Sequence, residues 1–150
     1  MKEIIKMLDE NLKYIKYEIA NETIKIYAKS RRKKVKCPYC GEETTKTHSR
    51  KMRKIQDLPI AGKKVHIMLE RRKIKCKNPK CEQQTFTEEF EFINKKSRKS
   101  KRLEKEIMRV SLTQSSVSAA KYLSGSVAEV GKSTICKMLK KRETINDQKK

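Results

Sequence analysis

Tryptophan is absent from this chain and only 35% of its residues are hydrophobic, which is thin for one large core. The apolar runs are only a few residues long, so no segment is expected to cross a membrane. Met1–Glu10 has no cleavable apolar stretch, and no secretory leader is expected. Acidic residues are the next shortage. The 18 carboxylates are scattered among 40 lysines and arginines, with no candidate triad on a β/α framework. Two-metal phosphoryl chemistry needs clustered carboxylates on rigid elements. The chain is therefore expected to be no enzyme by itself and to have no small-molecule substrate.

What remains is charge and cysteine. A formal net charge of +22 over 150 residues needs a partner class. Nucleic acid leads, because neutralising phosphates releases condensed counterions. An anionic membrane surface fits less well, since no helix combines a basic face with bulky aromatics. Some lysines are simply solvated, but the dense runs Ser30-Arg31-Arg32-Lys33-Lys34 and Lys95-Lys96-Ser97-Arg98-Lys99-Ser100-Lys101-Arg102 call for more.

Four of the five cysteines form two pairs, Cys37-x2-Cys40 and Cys76-x4-Cys81, separated by 35 residues that read as strand. Each spacing lets one turn aim two thiolates at a common point. Gly41 suits the positive φ of the first turn, and Asn78-Pro79 marks the second. Four convergent thiolates make a closed tetrahedral sulfur site, which suits structural Zn2+ with no open position for chemistry. An iron–sulfur cluster is the main competitor, ahead of two disulfides or a redox pair. His48 and His66 are the other side chains able to ligate, and four thiolates leave little need of them. Cys136 reads as a small semi-buried helix residue. Zinc supplies about 10–16 kcal/mol to comparable small sites, enough to replace a missing core.

Along the chain, Ile4, Ile5, Met7 and Leu8 predict a short helix. Leu12–Ile19 and Thr23–Ala28 alternate as strands around an Asn21-Glu22 turn, with Ile15, Tyr17 and Ile19 on one face. Thr44–Lys54 reads as a strand and 57–62 as a turn punctuated by Pro59 and Gly62. Val65, Ile67 and Leu69 alternate as a half-buried strand; Ile74 breaks their parity and predicts a twist or bulge. Phe86, Phe90 and Phe92 are expected to plug the small core. The basic run at 95–102 reads as a linker or arm that contacts the nucleic-acid backbone.

Three helical patterns follow. Leu103, Ile107 and Val110 mark the first; Val117, Ala120 and Leu123 the second, capped at Ser115/Ser116 and ended by Gly125. Ile135, Met138 and Leu139 mark the third, with Ser133 as its cap. The other face of that helix presents Ser133, Thr134, Lys137, Lys140 and Lys141. A last helix that is amphipathic and basic suggests a helix-turn-helix, although ten residues, 124–133, lie between the second helix and the body of the third. The expected fold is α+β: a zinc ribbon-like β module over 1–94, a linker over 95–102, a three-helix helix-turn-helix-like unit over 103–143 and a frayed tail over 144–150.

The order Cys37-Pro38-Tyr39-Cys40-Gly41, Asp57-Leu58-Pro59, Gly62, Val65, Arg72, Cys76, Asn78, Cys81 resembles the N-terminal zinc-binding domain of the ISL-three group of bacterial insertion-sequence transposases. The basic linker and the Ser133-Thr134 helix are similar to the helix-turn-helix that follows it there. The resemblance implies binding to the terminal inverted repeats of a mobile element. It also implies that cutting and joining belong to a later RNase H-like domain, before which this chain is expected to stop. Location would be the bacterial cytoplasm, at the nucleoid. On this reading Arg31, Arg32, Arg98, Lys99 and Arg102 hold phosphates of double-stranded DNA, while Ser133, Thr134 and Lys137 approach base edges, flanked by Lys140 and Lys141. Two other classes compete: a zinc-dependent interaction module whose helices make a homodimer, and an RNA-binding zinc ribbon.

Overall fold

A computed structural model describes the backbone of residues 1–148 and the side chains of residues 1–141. Its spine is one long hairpin, β5 (Thr47–Ile60) and β6 (Lys63–Lys75). Ala61 and Gly62 close it in left-handed conformations, φ 51° and 73°, the geometry that matches the twist of paired strands. A second hairpin joins β1 (Leu12–Ala20) to β2 (Thr23–Ser30) through Asn21 and Glu22, also at positive φ. The expected turn there is present.

The strands assemble in the order β1-β2-β6-β5. β2 runs parallel to β6, pairing Thr23 with Lys64 through Lys29 with Glu70. A parallel pair needs a crossover, and here the first cysteine turn and β5 provide it. Short β7 (Thr85–Thr87) pairs antiparallel with Lys73–Lys75, further along the same edge of β6 that β2 occupies. β3 (Val35–Lys36) and β4 (Glu43–Thr44) form a separate small hairpin. The helices are α1 (Lys2–Leu8), α2 (Lys101–Ser111), α3 (Ser116–Ser126) and α4 (Lys132–Gln148).

Three apolar clusters result. The largest joins Ile24, Ile26 and Ala28 to Val65, Ile67, Leu69 and Ile55 on one sheet face, covered by Ile5, Phe90, Phe92 and Ile93. A second fills the space between α2, α3 and α4 and takes in Leu58 from β5. The third is small: Cys37, Ile74, Cys76 and Phe86. The β module thus has an apolar core of its own, apart from the cysteines, where composition suggested a module held mainly by metal.

Several elements differ from expectation. Residues 57–60 continue β5 instead of turning, with a register shift between Asp57 and Ile60; only Ala61-Gly62 turns. Ile74 does break parity because it enters the third cluster, and the bulge lies in the partner strand, where two β5 steps from Thr47 to Ser49 match one β6 step. Phe86 and the Phe90–Phe92 pair serve different clusters. Ile15, Tyr17 and Ile19 do share a parity, and all three are exposed.

The basic run at 95–102 is not a free arm. Gln56 N–H donates to the Arg98 carbonyl and Ser100 N–H to the Gln56 carbonyl, both at 2.9 Å, and Lys101 N–H reaches the Phe92 carbonyl at 2.7 Å. Ser100 caps α2 by accepting from Leu103 N–H at 3.2 Å, so the helix starts within the expected linker. In α3, Ala119 and Leu123 face the core while Val117 is exposed, and Gly125 lies inside the helix. The connection to α4 is residues 127–131, shorter than the sequence suggested, and Val127, Ala128 and Val130 are buried in it. α4 starts at Lys132, which places Ser133 in its first turn. Of the 144–150 stretch expected to fray, the backbone to Gln148 is helical; its side chains, and residues 149 and 150 entirely, lie outside the described residues.

Candidate metal centre and nucleic-acid interface

The metal site is built by two turns at the far end of the β5–β6 hairpin. In the first, Gly41 takes φ 77° and donates its N–H to the Cys37 carbonyl at 2.8 Å. Cys37 N–H closes the loop on the Glu42 carbonyl at 2.9 Å. The second turn is ordered by Asn78, whose side-chain oxygen accepts from Lys80 N–H at 3.0 Å and whose carbonyl accepts from Cys81 N–H at 3.2 Å. Thr44 ties the two turns together by donating its hydroxyl to the Lys75 carbonyl at 2.8 Å.

These turns bring Cys37, Cys40, Cys76 and Cys81 together, with all four sulfurs within 4.8 Å of one another. Cys37 and Cys81 sulfurs are 3.8 Å apart, and Cys40 and Cys76 sulfurs 3.5 Å. Zinc–sulfur bonds of about 2.3 Å in a tetrahedron set sulfurs about 3.8 Å apart. The donor set, its spacing and its closure fit structural Zn2+. Among the described residues it is the one cluster of metal-ligating side chains, and no histidine joins it. His48 is exposed at the β5 bulge, and His66 is buried in β6.

Electrostatics asks for a cation here. The Cys40 thiol is lowered to about 7, first by the backbone N–H of Glu42 and against a burial penalty, then by hydrogen bonds from Cys76, Asn78 and Cys37. Cys76 is pushed up to about 12: the Asn78 N–H favours its thiolate, but burial and the neighbouring Cys40, Cys37 and Cys81 sulfurs outweigh it. Burial likewise raises Cys81. Cys40 ionises readily, whereas Cys76 and Cys81 resist it unless a divalent ion compensates them.

The expected DNA contacts fare unequally. Arg31 is exposed, its N–H on the Asn11 carbonyl at 2.7 Å. Arg32 is turned inward, donating to the Glu89 carbonyl at 2.7 Å and stacking over Phe90 at 5.1 Å. Arg98 is exposed and Lys99 half-buried. Arg102 is committed to Asp57, which accepts from its Nε at 2.8 Å and from its terminal nitrogen. On α4, Ser133, Lys137, Lys140 and Lys141 are exposed together and Thr134 is half-buried. Cys136 is half-buried against Ser116, as a helix residue should be.

The two most deeply buried carboxylates, Asp57 and Glu88, were given no structural role by the sequence. Asp57 (1% exposed) binds Ser100 Oγ at 2.7 Å as well as Arg102. Glu88 (1% exposed) collects Arg72 at 2.9 and 3.0 Å, Ser30 at 2.7 Å and Arg32 at 3.4 Å. Asp57 could have been found: it shares parity with Ile55 across from the buried face of β6. Glu88 carries no such signal, because β7 ends before it.

Residues 33–85 match the family model of the zinc-finger of transposase IS204/IS1001/IS1096/IS1165. The match covers both cysteine turns and the whole β5–β6 hairpin. No curated protein and no solved structure matches the chain. Among the described residues no helix is long and apolar enough to cross a membrane.

Proposed function

We propose that this chain is the DNA-binding portion of a transposase, reading the terminal inverted repeats of a mobile element as duplex DNA. The observation that carries the reading is the match of residues 33–85 to a transposase zinc finger, on a chain of net charge +22. Zinc fixes the two cysteine turns, and α3 with α4 acts as the helix-turn-helix. Ser133, Lys137 and Lys141 on the exposed face of α4 approach the major groove, with Lys140 beside them. Arg31, Arg98 and Lys99 hold backbone phosphates; Arg32 and Arg102 position the fold around Glu88 and Asp57 instead.

The function proposed is recognition and not cutting. The buried carboxylates Asp9, Asp57 and Glu88 all serve structural bonds. The setting is the bacterial nucleoid, and a palindromic site would bring two copies together.

The test is selection of random duplexes by the zinc-loaded chain at about physiological salt, where non-specific affinity is weak. A repeat-like enriched motif, lost in Lys137→Ala, is expected. Salt-sensitive binding with no enriched motif overturns the sequence-specific reading, and preference for structured RNA over duplex moves the chain to the RNA class.

A further inference from the structure

A second cationic surface is lined by no residue of α4 and by none of the basic run at 95–102. α1 and the open end of the β1–β2 hairpin enclose a cleft of about 730 Å³. Lys2, Lys6, Lys13, Lys29, Arg31 and Lys33 line it, with Arg32, Tyr14 and Ser30, and no carboxylate does. Among the described residues none of those six cations is ion-paired.

Its construction works against an empty site. Lys2 and Lys6 stand one turn apart on α1, a like-charge spacing that destabilises a helix. Lys13 and Lys29 are direct cross-strand partners in the β1–β2 ladder, and like charges directly opposite each other also destabilise. Two repulsive pairs from two elements converge on one concavity. A polyanion relieves both at once, and the low-dielectric walls of a cleft lined by one sign of charge focus its field.

We propose that this cleft is a phosphate-binding groove for a nucleic-acid backbone, a contact surface separate from the α4 face. It rests on the nucleic-acid reading above and adds to it a sequence-independent clamp at the N-terminal end of the chain. Lys13 and Lys29 are the central phosphate ligands, Lys2 and Lys6 the flanking ones, and Arg31 extends the track toward the zinc turns. Tyr14 offers a ring against a sugar.

The experiment measures duplex affinity of the full zinc-loaded chain against salt, for wild type and three variants. Lys13→Gln/Lys29→Gln empties the cleft of its central pair, Lys137→Gln/Lys141→Gln alters α4, and Lys73→Gln/Lys75→Gln removes equal charge from exposed β6 positions outside the cleft. Removing two phosphate contacts should lower the slope of log K against log salt by roughly two, and weaken binding roughly 10–100-fold at about 0.1 M salt, for every duplex sequence alike. The β6 control should change little. A cleft variant that matches that control in slope and affinity, with circular dichroism and zinc content intact, overturns the groove even if α4 proves essential. A cleft variant that weakens binding while the α4 variant does not keeps the groove and sinks the helix-turn-helix reading. A wild type that binds no duplex sinks both.

Discussion

Asp57 shows how much one residue can decide. Its carboxylate sits almost wholly inside the protein between Ser100 and Arg102, so it holds the start of α2 against β5. The adjacent Leu58 points the other way, into the helical cluster. Removing one partner of a buried pair strands the other charge; with Arg102 partly solvated (38% exposed), Asp57→Ala should cost about 2–4 kcal/mol in urea unfolding. Asp57→Asn, which keeps one acceptor, should cost less. His66 gives the pH-dependent counterpart. Burial, then Lys54, Lys25 and Lys64 against Glu129, lowers its folded pKa below the ordinary value, and its Nε2 has no hydrogen-bond partner. The unfolded chain therefore takes up a proton that the folded chain refuses. Stability should be complete above about pH 6.5, the ordinary histidine value, and fall as pH drops below it toward the lowered folded value. Thiolate protonation also weakens zinc binding in acid, so the test is the difference between wild type and His66→Gln: the variant should lose less stability between pH 7 and pH 5. Equal losses would remove His66 from the account.

At the scale of elements, the zinc turns and the main sheet are separable. The sequence alone predicts that losing one thiolate unfolds the β module. The structure restricts this, because Ile24, Ile26, Val65, Ile67 and Leu69 pack without any cysteine, whereas the zinc end has only Cys37, Ile74, Cys76 and Phe86. Cys76→Ser, or chelation of the metal, should abolish hydrogen-exchange protection around residues 35–44 and 76–87. The β2–β6 ladder should stay protected. Loss of protection across the whole sheet would mean that metal, and not burial, holds the module. The Glu88 cluster with Arg72, Arg32 and Ser30 sits where the two parts join.

At the scale of the whole molecule, Asp57 and Leu58 link the sheet to the helices, assisted by Gln56, which accepts from Glu129 N–H at 2.8 Å. Sheet and helices should then melt in one calorimetric transition, and Asp57→Ala/Leu58→Ala should split it in two; a single unsplit transition in that variant would place the coupling elsewhere. Much of this was legible in the chain. Cysteine spacing with Gly41 and Asn78 determined the metal centre, because turn geometry and ligand number are local properties. Alternation determined β1, β2 and β6, and the 3.6-residue period determined α2. The parallel pairing of β2 with β6, the strand character of 57–60, the docking of the basic run onto Gln56 and the inward turn of Arg32 and Arg102 were decided only in three dimensions. So was the convergence of Lys13 and Lys29 on Lys2 and Lys6. Charge in a sequence reports how many cations there are; which of them face a buried carboxylate and which are left facing one another depends on partners far away along the chain.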